Sequence, residues 1–227
     1  IVTGGAGFIG SHLVDKLVKE NHNVIVIDSL ITGQLKNISR VKDKILFVKQ
    51  DLSKNVKKWE KYFKKCDYVF HLAALADIVP SIENPDLYYS TNIQSTFNVM
   101  EAVRKYKVKK VVYTASSSCH GIPENYPTKE DEYINPKYPY ALTKNIGEQI
   151  VMHWGCVYKI NVISLRLFNV YGLRSRTTGA YGAVFGVFLA QKIAKKPFTV
   201  VGNGKQTRDF TYVDDVIRAL YIACLSK

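Results

Sequence analysis

The chain has 227 residues, 47% of them hydrophobic, enough for one α/β domain with a sizeable core and a small appendage, and it contains no apolar run long enough to span a membrane as a helix. Lys+Arg 32 against Asp+Glu 19 leaves a formal charge of +13, yet the lysines fall in short groups (57–58, 64–65, 109–110, 195–196) that read as a solvated surface rather than a nucleic-acid patch. Cysteines at 66, 119, 156 and 224 lack metal-ligand spacing, so no metal site is expected, and they read as reduced thiols of a cytoplasmic protein.

Ile1-Val-Thr-Gly-Gly-Ala-Gly-Phe-Ile-Gly10 is a short apolar strand running into glycines, with an amphipathic helix from Ser11 to about Lys19 behind it. Gly4 allows a tight turn, Gly7 lets the backbone approach a pyrophosphate, and Gly10 lets helix pack on strand. The helix N-terminus adds free N–H groups and the positive end of its dipole. A second apolar strand, Asn23 to Asp28, ends in an acid about twenty residues on, which completes a dinucleotide-binding fingerprint. Asp28 suits the adenosine ribose hydroxyls and would repel a 2′-phosphate, so NAD is favoured over NADP. The opening residues show no basic leader or small-residue cleavage site. The chain starts inside its first strand without a Met, so a trimmed N-terminus is expected.

Ser29 to Gln34 reads as a polar turn beside the adenosine end of a cofactor. A third strand, Lys44 to Lys49, leads to Asp51 and Leu52, a carboxylate and an apolar cover suited to adenine; Asp51 also suits an N-cap for a helix starting near Ser53. Asp67 to Ala74 is a fully apolar fourth strand of the kind a parallel sheet buries, and its small tip leaves room for a cofactor. His71, inside that run, reads as a satisfied core histidine rather than a catalyst.

Asn84-Pro85 marks a turn before a long helix to Lys105, with Asn92 in its interior. Val108 to Ala115 is the fifth strand and delivers Ser116-Ser-Ser-Cys-His-Gly121. A loop with prolines at 127, 136 and 139 precedes a helix from Ala141 to about Trp154, and Asn161 to Leu167 is the sixth strand. This alternation predicts an α/β fold with a doubly wound parallel sheet of Rossmann type over residues 1–168. From Asn169 the pattern changes: a basic loop from Tyr171 to Gly179, an apolar helix from Ala183 to Ala194, a short strand from Phe198 to Val201, a Gly202-Asn-Gly204 turn and a helix from near Asp214. Residues 169–227 are expected to be part of a smaller substrate-binding region.

Tyr140-Ala-Leu-Thr-Lys144 puts a phenol and an ammonium one helical turn apart on one face. There the lysine would lower the phenol pKa and reach a nicotinamide ribose, and the phenolate would take a proton from a substrate hydroxyl as hydride leaves the same carbon. The spacing alone is common; with the glycine-rich start, Asp28 and a strand-end serine cluster it is specific.

Thr3-Gly-Gly-Ala-Gly-Phe-Ile-Gly10, Tyr140 with Lys144, and Arg208-Asp-Phe-x-Tyr-Val213 resemble the extended short-chain dehydrogenase/reductases. The group is that of the nucleotide-sugar epimerases and dehydratases, of the UDP-glucose or UDP-N-acetylglucosamine 4-epimerase kind. The resemblance spans essentially the whole chain, and it implies that further substrate-domain residues follow. It implies that Gly4, Gly7, Phe8, Ile9 and Gly10 hold the pyrophosphate, Asp28 and Ser29 the adenosine ribose, and Asp51-Leu52 the adenine. Ala73 and Ala74 would line the nicotinamide side, Asn92 would support the cofactor site, and Phe168 would border it. Ser116, counted back from Gly121, would hydrogen-bond the reacting hydroxyl, with Tyr140 as base and Lys144 as its activator. Ser117 and Ser118 would meet the sugar, Asn169 and Arg208 the diphosphate, and Ala183, Val184, Thr199 and Val201 the rest of the nucleotide. The family's usual Tyr before the motif glycine is His120 here, which would either replace its packing or alter the sugar pocket.

Related dehydratases carry an Asp-Glu pair, and decarboxylases a Glu, where this chain has Ser117 and Ser118. A 4-keto intermediate then has no second reaction but hydride return to its opposite face. Val79 stands where glucuronate epimerases have Arg, which points to an uncharged hexose or N-acetylhexosamine. The expectation is a UDP-sugar 4-epimerase with tightly bound NAD, acting as a homodimer. The rival enzyme readings are a 4,6-dehydratase or a keto-sugar reductase. The rival of another class is a dinucleotide- or RNA-binding scaffold, which would have no need of Ser116, Tyr140 and Lys144 together.

Overall fold

The structure, a computed structural model, describes residues 1–175, 184–200 and 202–226. Strands β1 (Val2–Thr3), β2 (Val24–Asp28), β3 (Ile45–Lys49), β4 (Tyr68–His71), β5 (Lys110–Ser116) and β6 (Asn161–Leu167) form one parallel sheet in the order β3-β2-β1-β4-β5-β6. Thr3 pairs with Ile27 on one side and His71 on the other, so the strand order reverses between β1 and β4. A doubly wound sheet opens its ligand crevice at the carboxyl ends of the strands where that reversal falls. Strands β7 (Asn169–Tyr171) and β8 (Phe210–Tyr212) make a separate parallel pair, which the sequence pattern did not reveal.

The helices are α1 (Phe8–Lys19), α2 (Val56–Trp59), α3 (Ile78–Glu83), α4 (Pro85–Tyr88), α5 (Ser95–Tyr106), α6 (Pro139–Tyr158), α7 (Val184–Ile193) and α8 (Val213–Leu225). Alternate strand residues face opposite layers, which is why the strands read as continuous apolar runs. Val2, Val26, Phe70 and Val112 pack with Leu13, Val14 and Leu17 of α1 and Val216, Ile217 and Leu220 of α8. Ile27, Val69, Val111 and Tyr113 pack on the other side with Val99, Met100 and Val103 of α5 and Val151 of α6. Gly147 is what brings α6 so close to β5, since a Cβ there would strike the Tyr113 hydroxyl.

Several boundaries move for identifiable reasons. Helix α1 starts at Phe8 rather than Ser11, with Gly7 extended at its N-cap, so its first free N–H groups lie inside the glycine loop. Helix α6 starts at Pro139, a favoured first helical residue, which sets Tyr140 in the first turn. The expected helix from Pro85 to Lys105 is α4, a π-helical turn (Tyr89–Gln94) and α5, with α3 as an additional element before it. No helix begins at Ser53: Asp51 Oδ1 accepts from the Ser53 N–H (2.9 Å) and Oγ (2.7 Å), a local turn, and α2 begins only at Val56. Strand β4 stops at His71, because the Ala73 amide donates to Thr3 Oγ1 (3.2 Å) instead of extending the ladder. Residues 198–200 form no strand; the Thr199 N–H is taken by Gln191 Oε1 of α7 (3.1 Å). Ala183, Val201 and residues 176–179 of the basic loop lie outside the described residues. Among the described residues no helix is long and apolar enough to cross a membrane.

Candidate active site

Between β1 and α1 the chain turns through Gly4, whose φ of +69° a side chain would strain and where a Cβ would lie 2.8 Å from the Ala73 nitrogen. At Gly10 a Cβ would strike the Gly4 carbonyl, so only glycine lets the helix start this near the strand. At Gly7 the one neighbour of a Cβ would be the Gly4 oxygen at 3.1 Å, and the space beyond is open. That is the form of a cradle for a ligand backbone: walls closed by the protein, one face left free beside helix N–H groups. A cleft of about 470 Å³ runs from it, lined by the five residues from Gly4 to Gly10 named for the pyrophosphate and by Asp28, Ser29, Asp51, Leu52, Ala73 and Ala74.

Asp28, at the tip of β2, is buried, and burial pushes its carboxyl pKa up while two backbone amides oppose the shift. Those amides are Ala6 N–H to Oδ2 (2.9 Å) and Leu30 N–H to Oδ1 (2.8 Å), which aim the carboxylate across the glycine turn. Among the residues of this wall that escaped the sequence reading are Arg174 and Ser175. Arg174 sits in the left-handed region (φ 65°), and its Nη2 meets Asp15 Oδ2 of α1 at 2.6 Å. The basic character of its loop was the available signal.

His71 is buried, with both ring nitrogens bonded. Thr3 Oγ1 accepts from the Leu72 (3.1 Å) and Ala73 (3.2 Å) amides, so its own proton goes to His71 Nδ1 (2.7 Å). His71 Nε2–H then donates to Thr96 Oγ1 (2.9 Å), which donates to the Asn92 carbonyl (2.6 Å). Burial holds the imidazole at a pKa of about 3, neutral and structural. Asn92 lies behind the cleft rather than on it. Its side chain accepts from Leu75 N–H (2.8 Å) and donates to Leu75 O (3.0 Å) and Thr143 Oγ1 (3.0 Å), pinning the chain after β4 to α6.

A second cavity, about 1090 Å³, shares the wall of Phe8, Ile9, Leu72 and Ala74 with the first. Ser116, Ser117, Ser118, Tyr140, Lys144, Phe168, Asn169 and Arg208 all border it. Ser116 ends β5, and Tyr140, in the first turn of α6, donates its hydroxyl to Ser116 Oγ at 3.2 Å. Ser116 and Ser118 share a hydrogen bond of 2.7 Å, and the Ser118 amide also donates to Ser116 Oγ (3.2 Å). Lys144 donates to the Thr114 carbonyl (2.5 Å), with Nζ 4.3 Å above the Tyr113 ring. Pairing of β7 with β8 brings Asn169 opposite Phe210, and the Asn169 amide donates to the Asp209 carbonyl (2.9 Å), which sets Arg208 on the same rim. Val184 and Thr199 border neither cavity.

One electrostatic expectation is corrected. Desolvation, not the lysine, dominates Tyr140, so its phenol pKa lies above the ordinary value. Desolvation also brings Lys144 down to about 7. The lysine's Nζ is bonded to the Thr114 carbonyl, and the groups that do draw the phenol down are the Ser116 and Ser118 hydroxyls.

A glycine cradle at the reversal of a parallel sheet, opening onto a buried Tyr–Ser–Lys set, defines a dinucleotide-dependent enzyme of the short-chain dehydrogenase/reductase type. The chain belongs to the NAD dependent epimerase/dehydratase family, which it matches over residues 1–227. It is 37% identical over 223 residues to a UDP-glucose 4-epimerase of Mycolicibacterium smegmatis, covering 96% of this chain and 71% of that protein. A UDP-N-acetylglucosamine 4-epimerase from Methanobrevibacter ruminantium, solved with UDP-N-acetylmuramic acid, superimposes with a TM-score of 0.94 at 35% identity, covering 100% of this chain and 72% of that one. A Thermus thermophilus UDP-glucose 4-epimerase complexed with NAD gives a TM-score of 0.91 at 34% identity, covering 100% and 74%.

Proposed function

We propose that this chain catalyses NAD-dependent 4-epimerisation of a UDP-hexose or UDP-N-acetylhexosamine through a 4-keto intermediate. The observation that carries the reading is the Tyr140–Ser116 hydrogen bond on the border of the larger cavity, which adjoins the cofactor cleft. In this reading the glycine loop cradles the NAD pyrophosphate, Asp28 and Ser29 hold the adenosine ribose, and Asp51 with Leu52 receive the adenine. Bound there, NAD supplies a hydride acceptor and donor at the sugar's C4.

The chain's own groups do the rest. Ser116 orients the C4 hydroxyl, and Tyr140 takes its proton and later returns it. Ser116 and Ser118 ease ionisation of the buried phenol, and Lys144 reaches the nicotinamide ribose. Asn169 and Arg208 grip the diphosphate by hydrogen bond and charge, with Ala183, Val184, Thr199 and Val201 reserved for the remainder of the nucleotide. The 4-keto sugar then rotates about its diphosphate anchor to turn its other face. Ser117 and Ser118 supply no carboxylate to eliminate water, which disfavours the dehydratase reading.

We further infer a homodimer, with residues 1–168 as cofactor half and 169–227 as part of the nucleotide-sugar half, working in the cytoplasm and without a nucleic-acid partner. The dimer reading is supported by exposed Leu87, Phe97, Leu142 and Met152 on α4, α5 and α6, and by Phe97, Trp154 and Tyr158 stacked edge to face across the last two. The cytoplasmic reading rests on the four unpaired cysteines.

The test is proton NMR of anomeric signals after mixing the protein separately with UDP-glucose, UDP-N-acetylglucosamine and UDP-glucuronate, with no NAD added. The C4 epimer of one of the first two is expected, and Tyr140→Phe should abolish its formation. A keto or deoxy product would replace the epimerase by a dehydratase, and silence with all three would favour the scaffold.

A further inference from the structure

His120 closes the short helical turn Ser117–His120 that follows β5, and only 4% of it is exposed. Its Nδ1 lies 3.1 Å from the Glu132 carbonyl and 3.3 Å from that of Tyr133. Both partners only accept, so Nδ1 carries the proton. Its Nε2 lies 3.3 Å from Arg166 Nη1, which only donates, so Nε2 presents its lone pair. The contacts agree on one neutral tautomer, and both ring nitrogens are taken up by protein.

Arg166 of β6 is itself held. Its Nε donates to both oxygens of Glu148 on α6 (3.2 and 3.0 Å), which also accepts from Ser164 Oγ (2.8 Å). Arg166 Nη1 reaches out to the Glu130 carbonyl at 2.7 Å. The Asn135 amide donates to the Cys119 carbonyl (2.9 Å), and the Asn135 oxygen comes so close to Gly121, at φ +68°, that a Cβ there would strike it. Four backbone carbonyls or amides between 130 and 135 are thus gripped from the sheet. The same segment carries Pro123, Tyr126, Pro127 and Thr128, which line the cavity that Tyr140 borders. Residues 122–138 contain no helix or strand, so little but this grip fixes them.

We infer that His120 is a positioning residue: with Arg166 it clasps residues 122–138 to the sheet and so fixes the outer wall of the sugar cavity. It exchanges no proton with the sugar, since neither ring nitrogen is available. The link to sugar binding rests on the epimerase reading above; the clasp itself does not.

The experiment uses the full chain with its cofactor and compares wild type, His120→Phe and His120→Asn. Phenylalanine fills the space with no hydrogen bond, whereas asparagine restores one donor and one acceptor. In His120→Phe, amides of 122–138 should exchange hydrogen about tenfold faster, and the KM for the nucleotide sugar should rise about tenfold while kcat holds within about threefold, the effect of losing one or two hydrogen bonds. Affinity for UDP alone, by calorimetry, should stay unchanged, because the wall meets the sugar. His120→Asn should recover most of the protection and of the KM. Should the Phe variant not fold, His120→Ala takes its place in the same assays.

Unchanged exchange in 122–138 would overturn the clasp. Faster exchange with an unchanged KM, or with equal loss for UDP and UDP-sugar, would overturn the positioning role. If wild type turned over no nucleotide sugar, the epimerase reading would fall while the exchange comparison still decided the clasp.

Discussion

Tyr140 and Lys144 illustrate what a single residue's surroundings do to its chemistry. Their spacing on one helical face was legible in the sequence, as was Ser116 at the strand end. The burial that governs their protonation was not, because desolvation is set by β5, α5 and α6 together. Lys144 has a consequence that can be measured. Its folded pKa is about 7, against an ordinary value of 10.5. Below pH 7 both folded and unfolded chains hold the ammonium, and the full cost of burying it is present. Between pH 7 and 10.5 the unfolded chain keeps a proton that the folded chain has released, so stability gains with rising pH. Urea unfolding of NAD-stripped wild type and Lys144→Met should therefore show the wild type gaining on the variant across that window. A constant difference would mean that the ammonium is solvated.

At the scale of the element, the glycine loop separates folding from ligand binding. Both Gly7 and Gly10 were legible as parts of one motif, but the motif does not tell which of them serves the fold. Gly10 is closed by the Gly4 carbonyl, whereas Gly7 faces open space. Gly7→Ala should cost about 1 kcal/mol as a poorer N-cap, stay folded, and lose its NAD. Gly10→Ala should disturb the loop itself and lower both melting temperature and cofactor content. Thermal melts beside the 260 to 280 nm absorbance ratio of the purified variants distinguish the two. Equal damage from both would count against the cradle.

The elements that sequence missed share one cause. The β7–β8 pair, the contacts of Arg174 and the clasp at His120 all join residues distant along the chain, and no local periodicity reports them. Asn92 was assigned to the cofactor site and proves to lie one layer behind it, holding Leu75 in place. The six parallel strands, by contrast, announce themselves because burial on both faces leaves each an unbroken apolar run.

At the scale of the whole molecule, the formal charge of +13 is spread over scattered lysines, while α4, α5 and α6 expose Leu87, Phe97, Leu142 and Met152. This supports self-association rather than a polyanionic partner. Light scattering on the eluting full chain should give a dimer mass, and Phe97→Asp, which places a charge against the Trp154 ring, should halve it. A monomeric wild type would refute the assignment.

Helix α8 packs on α1, and the two share one face of the sheet with Val2 and Val112. Helix α1 is therefore made well before α8, which covers part of its apolar side. Throughout that interval the side of α1 that meets α8 stays uncovered, and a nascent chain arrested after β6 would carry a sticky, half-roofed sheet. The long sequence separation of this contact predicts slow, late closure of that layer of the sheet.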